Sequence, residues 1–134
     1  MADPLYVFPD PRAAVKTVLN AEKAERWPTA TISTSFPSAA ITVPHIQHAW
    51  DGTPTQERQR ERCTIRVTVW TPKGKVDDGI NLAALVQAVL LDAGTDTVWR
   101  FRPGPGRLAD IDPATGLPFC SFLITAETRP HAVT

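Results

Sequence analysis

The sequence predicts an α+β fold: a largely antiparallel or mixed sheet, two helices packed on one of its faces, and a long hairpin arm. Three observations carry this. Cys63, Ile65, Val67 and Val69 alternate with Thr64, Arg66, Thr68 and Trp70, the period-2 pattern of a half-buried strand. Ile80 to Ala93 follows as an apolar-rich helix, with Asp77 or Asp78 available as N-cap and Gly94 as the closing residue. Around this pair the chain reads helix, two strands, arm, strand, helix, then two or three strands, with no internal repeat.

The totals set bounds. A chain of 134 residues is one domain, with room for a real core. Lys plus Arg and Asp plus Glu are both 14, so the formal net charge is zero. A protein that grips nucleic acid through its overall charge is usually basic, and this one is not. No run of about 18 apolar residues exists, so no membrane span is expected. Met1-Ala2-Asp3-Pro4 lacks the basic and apolar regions of a signal peptide. Cys63 and Cys120 both fall in strand-like runs and are expected as buried, reduced thiols. Thirteen prolines beside 43% hydrophobic residues imply fixed turns, not disorder.

In order, Tyr6-Val7-Phe8 is an apolar lead-in. Asp10 and Pro11 start the first helix, with Pro at the position where its missing N–H costs nothing. Ala14, Val15, Val18 and Leu19, with Ala21, form its apolar face. Arg12, Lys16 and Lys23 lie on another face, read as a solvated stripe or, more sharply, as a surface turned towards a passing anionic polymer. Trp27-Pro28 ends the helix. Thr29–Ser35 and Ala39–Ile46 are the next two strands, the second placed at a sheet edge because Pro44 removes a ladder donor.

Residues 48–61 form the projecting arm. They lack apolar periodicity, contain Gly52 and Pro54, and end in a mixed-charge run through Arg58, Arg60 and Arg62. A loop this long is usually functional or mobile. Trp50 is its one large apolar side chain, and aromatics with arginines are the residues enriched at interface hot spots. In the second helix, Leu82, Ala83, Leu85, Val86, Val89 and Leu90 cover the sheet. On the far side, Ala84, Ala88 and Leu91 make a surface less polar than water normally meets, for a second layer or a second subunit to cover. A strand at 96–102 puts Trp99 and Phe101 on one face and Arg100 and Arg102 on the other. After a short extended piece, Leu108–Ile111, the Asp112-Pro113-Ala114-Thr115-Gly116 turn leads into the last strand, Leu117–Thr128. Residues 130–134 are expected to be loose.

The search for chemistry is negative. His45, His48 and Asp51 are the only metal-like grouping, but strand residues three apart point to opposite faces. Asp77-Asp78 and Asp110-Ile111-Asp112 are better explained by capping and turns than by acid–base catalysis. No Cys-x-x-Cys, phosphate-binding glycine motif or Gly-x-Ser-x-Gly is present. The expectation is a protein that is not an enzyme and uses no cofactor or metal. Trp99-Arg100-Phe101-Arg102 keeps a small nucleic-acid-binding module as an alternative.

The whole pattern resembles the tail terminator proteins of long-tailed, siphovirus-type bacteriophages of actinobacteria. The resemblance lies in the Met1–Asp10 opening before a helix, the Thr64–Trp70 strand, the Ala-rich helix after it, and the Asp112–Pro118 turn before a long last strand. It covers most of the chain. Each motif is soft, and the specificity is in their order. It implies a virion structural subunit at the tail–neck junction, assembled in the host cytoplasm. Such a subunit forms a ring, expected to be a homo-hexamer, on the last ring of the major tail tube protein. The ring stops tube growth, meets a head–tail connector or neck protein, and lets genomic DNA pass through its lumen. Another connector or neck protein is the alternative within the same class. On this reading Trp50, Arg58, Arg60, Arg62, Ala84, Ala88 and Leu91 are interface candidates. Arg12, Lys16 and Lys23 are lumen candidates.

Overall fold

The computed structural model describes all residues except 1–4, 9, 53–54, 58–59, 96–97 and 134, and for residues 6, 55–57, 60, 99 and 131–133 the backbone alone. In chain order the elements are β1 (Leu5–Val7), α1 (Pro11–Arg26), β2 (Thr31–Ser33), β3 (His45–Trp50), β4 (Thr55–Glu57), β5 (Arg60–Trp70), α2 (Val76–Asp92), β6 (Val98–Pro103), β7 (Leu108–Ile111), β8 (Pro118–Thr128) and β9 (His131–Val133).

The alternation in β5 and β8 builds the centre. These two strands pair antiparallel from Glu61↔Thr128 to Trp70↔Phe119 without a break. On the far side of β5 lies β3, and beyond the gap at 51–54 β4 continues along the same strand. On the far side of β8, β6 and β7 likewise occupy successive stretches. The main sheet is therefore a four-lane antiparallel arrangement, with β2 added parallel to β3 at one edge. The β6–β7 lane is interrupted where Gly104 donates its N–H to the Leu123 carbonyl at 2.9 Å. A Cβ at Gly104 would lie 2.7 Å from that oxygen, so only glycine permits the approach.

One face of the sheet carries Cys63, Ile65, Val67 and Val69 from β5, and Cys120, Phe122, Ile124 and Ala126 from β8, all essentially buried. Ala14, Val15, Val18 and Leu19 of α1 and Ala83, Val86 and Leu90 of α2 complete this core. Each such Leu, Ile or Phe contributes roughly 1.5–3 kcal/mol by leaving water. Trp27 ends α1 and is buried, its indole N–H donating to the Leu19 carbonyl at 3.0 Å. Both helices thus sit on one face, as the sequence predicts.

The Asp112–Gly116 turn also forms as expected. Gly116 has φ +74°, and the Asp112 carboxylate accepts from Thr115 Oγ1 at 2.8 Å and the Ala114 N–H at 3.3 Å. Other boundaries differ. The strand expected at Ala39–Ile46 begins only after Pro44 and runs on to Trp50, its last three residues being the first three of the predicted arm. It is interior, between β2 and β5, because Pro44 sits outside the ladder and costs it no donor. The rest of the arm is a hairpin, since β4 pairs with the start of β5. Helix α2 starts at Val76 with Lys75 at the N-cap and no side-chain cap bond. Asp77 and Asp78 lie in its first turn, where they complement the helix dipole and do not cap. Thr71 supports this start instead, donating to the Lys75 carbonyl at 2.9 Å. Ala93, in extended conformation, ends α2, so Gly94 is not needed in a left-handed cap. Ala21 of α1 is exposed, outside the core arc. Residues 131–133 are not loose: β9 pairs with β1 in a separate two-stranded ribbon.

Both cysteines are buried free thiols. Burial, with a hydrogen bond from Cys63 Sγ to Glu61 Oε1 at 3.2 Å, pushes the Cys63 thiol up to about 12. Burial also raises Cys120, with Arg107 opposing. Both should resist alkylation in the native protein near neutral pH and react fully after denaturation without reductant. A pair protected in the denatured, unreduced sample would mean a disulfide instead.

Candidate functional site

Three surfaces contain the candidate residues. The first joins the start of α1 to the end of β3. Asp10 caps α1, accepting from the Arg12 backbone N–H at 2.9 Å. It also accepts from the Arg12 guanidinium at 2.7 Å and from the Trp50 indole N–H at 3.1 Å. The Arg12 guanidinium lies 5.0 Å from the Trp50 ring centroid, within cation–π range. Burial disfavours the charged form of Asp10, but its bonds from Arg12 and Trp50 outweigh this and hold its carboxyl below the usual range. Trp50 is 42% exposed. It is neither the tip of a free arm nor a core plug; it brackets β3 to α1. Arg12, a lumen candidate, is engaged in the same bracket. Lys16 is exposed further along that helical stripe, and Lys23 is half-buried near its end.

Beneath the bracket lies His48, 2% exposed and directed to the helix side of β3. Desolvation first, then the positive charges of Arg12 and Lys16, lower its pKa, with Asp10 opposing. His45 faces the other way. Its Nδ1 is 2.6 Å from Thr31 Oγ1 and its Nε2 2.9 Å from the Ser35 carbonyl. The two histidines therefore lie on opposite faces, as strand geometry requires. Among the described residues no three His, Cys, Asp or Glu side chains gather as a metal site.

The second surface is the sheet face without helices, whose chemistry changes steadily along the strands. At one end His45, Trp70, Phe119 and Asp110 form a cross-strand row. Trp70 is buried there: its N–H donates to Gln47 Oε1 at 3.0 Å, and Phe119 and Phe36 flank its ring at 5.1 and 6.2 Å. Next come Gln47, Thr68, Ser121 and Leu108, then Ala49, Arg66 and Leu123. These rows floor a groove of about 460 Å³, walled by Phe36 and Leu108. Towards the hairpin, the rows become Thr64, Thr125 and Arg102, then Arg62, Glu127 and Arg100. Glu127 is fully buried, with Arg102 Nε at 2.7 Å, Arg100 Nε at 3.4 Å and Arg62 Nε at 3.9 Å. Arg62 is thus fixed to its own sheet on one side. Arg60 stands opposite Glu57 in the hairpin ladder, and Arg58 lies outside the described residues.

The third surface is the outer side of α2. Ala88 is exposed and Ala84 half-buried, but Leu91 packs against the core. Ala84 and Ala88 lie on α2, whereas Trp50 ends β3.

Sequence reasoning singles out neither Phe36 nor Glu127. For Glu127 a signal existed. It follows Ala126 by one residue and so belongs to the row opposite the core, where the arginines of two other strands also fall. For Phe36 none existed, because it packs on Trp70 from a loop of irregular backbone. No helix among the described residues is long and apolar enough to cross a membrane. No family model matches the chain, and no curated protein matches it significantly.

Two expectations follow. Trp50→Ala removes one hydrogen bond and one cation–π contact at a half-exposed site, so it should cost about 1–2 kcal/mol, read as a modest loss of melting temperature. A loss of about 3–5 kcal/mol would restore the core-plug reading. His48 titrates lower in the fold than in the unfolded chain, which binds a proton first as pH falls. Stability should therefore drop on acidification below the ordinary histidine value of 6.5. Thermal midpoints measured from pH 7.5 to 5 should fall less steeply in His48→Gln.

Proposed function

We propose that the chain is a structural ring subunit, the tail terminator of a long-tailed bacteriophage, acting by assembly and not by catalysis. The observation that carries this is the placement of large exposed apolar side chains. Phe36 and Leu108 flank the groove where Trp70 meets Phe119, and Ile111 is exposed on the same short strand as Leu108. Leu5 and Val7 are exposed on the separate β1–β9 ribbon. Two unlike apolar patches on one subunit favour head-to-tail association, which closes into a ring when the rotation between copies allows.

In this role the ring, a hexamer, would sit on the last ring of tube protein and stop its growth. Its other side would receive a neck protein, and genomic DNA would pass through the lumen. The arginines that three successive rows place on this face, Arg66, then Arg102, then Arg62 with Arg100, favour a second reading, a nucleic-acid-binding module. The zero net charge of the chain counts against it.

Tails assembled without this protein, viewed by electron microscopy, should have uncontrolled length; tails of normal length would exclude the terminator reading. Native mass spectrometry at high concentration, or on isolated tails, should find a ring. Six copies of the 14.6 kDa chain give about 88 kDa. DNA binding that weakens steeply with salt, in a protein that stays monomeric on tails, would favour the second reading.

A further inference from the structure

We propose that the junction of α1 with β3 is an acid-operated latch: protonation of His48 lifts the first turn of α1 off the strand and releases Trp50 from Asp10 and Arg12. The latch belongs to the single chain and works alike in a monomer or a ring.

His48 has no way to accept a second proton in place. The residue is 2% exposed, and its Nδ1 is shielded from water with no hydrogen-bond partner among the described residues. An imidazolium carries an N–H at both nitrogens, and each needs an acceptor. Across the ladder β5 presents Val67, opposite His48, with Ile65 two residues away on the same face, both fully buried. The ionisable side chains further along that face of β5 are Cys63 and Glu61, bonded to each other. Within β3 the flanking residues on the same face are Ile46 and Trp50. The pairing with β2 stops one residue short, with Ser33 opposite Gln47. From α1 the charged groups acting on His48 are Asp10, Arg12 and Lys16. Two of these are cations, and the one carboxylate already accepts from the Arg12 guanidinium and the Trp50 N–H. A proton on His48 therefore sets a buried charge against two others of the same sign, and burial alone disfavours that form.

The first turn of α1 is the wall that yields. β3 is held by β2 on one side and β5 on the other. The middle of α1 is anchored in the core by Val15, Val18 and Leu19, and its end by the Trp27 indole on the Leu19 carbonyl. At its start Pro11 and Ala14 are buried, but the bonds to β3 run through Asp10, Arg12 and Trp50, all partly exposed. Among the described residues the preceding strand gives no pairing with the main sheet, since β1 pairs with β9 in a ribbon of its own. Opening such a segment takes less free energy than unfolding the sheet. Once it lifts, water reaches Nδ1 and solvates the imidazolium.

Falling pH reaches His48 before Asp10. The closed form holds His48 below its ordinary value of 6.5 and the open form does not, so acid favours opening from 6.5 downwards. Asp10 is held below its ordinary 3.8 and keeps its charge through that range, so loss of its carboxylate is not the trigger.

The test follows N–H exchange in the full-length protein by NMR from pH 7.5 to 5, relative to the intrinsic rate. The Trp50 indole and the Arg12 amide, both bonded to Asp10, should lose protection by up to about tenfold for each pH unit below 6.5. The indoles of Trp27 and Trp70, bonded to the Leu19 carbonyl and to Gln47, should keep theirs. In His48→Gln, which cannot gain the charge, Trp50 and Arg12 should stay protected as well. Undiminished protection of Trp50 in the parent would overturn the latch. So would an equal loss at Trp27 and Trp70, which is global unfolding, or the parent's response persisting in His48→Gln, which makes another group the trigger. If His48→Gln melts early, His48→Leu takes its place with the same expectation. If neither folds, the parent decides alone: Trp50 must lose protection with the titration of the His48 ring signal, and a mismatch between the two refutes the latch.

Discussion

The continuous pairing of β5 with β8 is the constraint on which the other elements depend. Each is an 11-residue strand, and their register runs unbroken from Glu61↔Thr128 to Trp70↔Phe119. A slip by one residue would move Ile65, Val67, Phe122 and Ile124 to solvent and Arg66 and Glu127 into the core. The same register puts Arg62 beside Glu127, and Trp70 beside Phe119. It also fixes the helices. The chain leaves β5 through Thr71, whose hydroxyl holds the first turn of α2, and α2 returns across β8 and β6. Helix α1 then needs only to fill the space left over β3, and its apolar arc of Ala14, Val15, Val18 and Leu19 does so.

With both helices on one side, the opposite face must be accounted for separately. A solvated second face is ordinary for an antiparallel sheet, and the partly exposed Thr64 and Thr125 fit that description. The aromatic end does not. Trp70 is buried on the face without helices only because a loop brings Phe36 over it, and Phe36 then stands exposed itself. Solubility is poorly served by such an arrangement, whereas a contact surface needs a packed apolar centre with polar groups around it. That asymmetry, apolar at one end and arginine-rich at the other, is the physical content of the proposed ring role.

Much of this fold was legible because periodicity reports burial directly. The alternation in β5 and β8, the apolar arc of α1 and the Asp112–Gly116 turn each announced themselves through local chemistry. What failed was equally physical. Pro44 was weighed as a ladder defect within a strand, but it lies just outside one. The loss of periodicity from Gln47 suggests a loop, yet β3 is buried on both faces from His45 to His48, so no apolar alternation marks it as a strand. The β1–β9 ribbon joins residues at the two ends of the chain, a pairing that no local window contains. Of the candidate interface residues, Trp50 and Arg62 proved to have partners within the subunit, 40 and 65 positions away in sequence. Such distances are set by the sheet and not by neighbouring residues.

The cluster at Glu127 shows how tertiary geometry assigns roles that composition conceals. A buried ion pair rarely stabilises more than apolar packing of the same volume, because both charges must first be stripped of water. Glu127 is completely enclosed while its arginines remain nearly half exposed, so the cost falls mainly on the carboxylate. What this arrangement secures is direction. Three strands, β5, β6 and β8, are joined at the base of the hairpin by one carboxylate, and the guanidinium groups are held at the surface in fixed positions. The sheet at the base of the hairpin thereby presents three arginines around one carboxylate, next to the end of β8. The groove end is richer in aromatic and apolar side chains, with Asp112 and Arg66 in the groove lining and Asp110 beside Phe119. A subunit built this way presents different chemistry fore and aft along its strands. Two copies meeting like end to like end would oppose arginines to arginines, whereas copies meeting unlike ends would not. Orientation in an assembly can thus follow from the same register that forms the core.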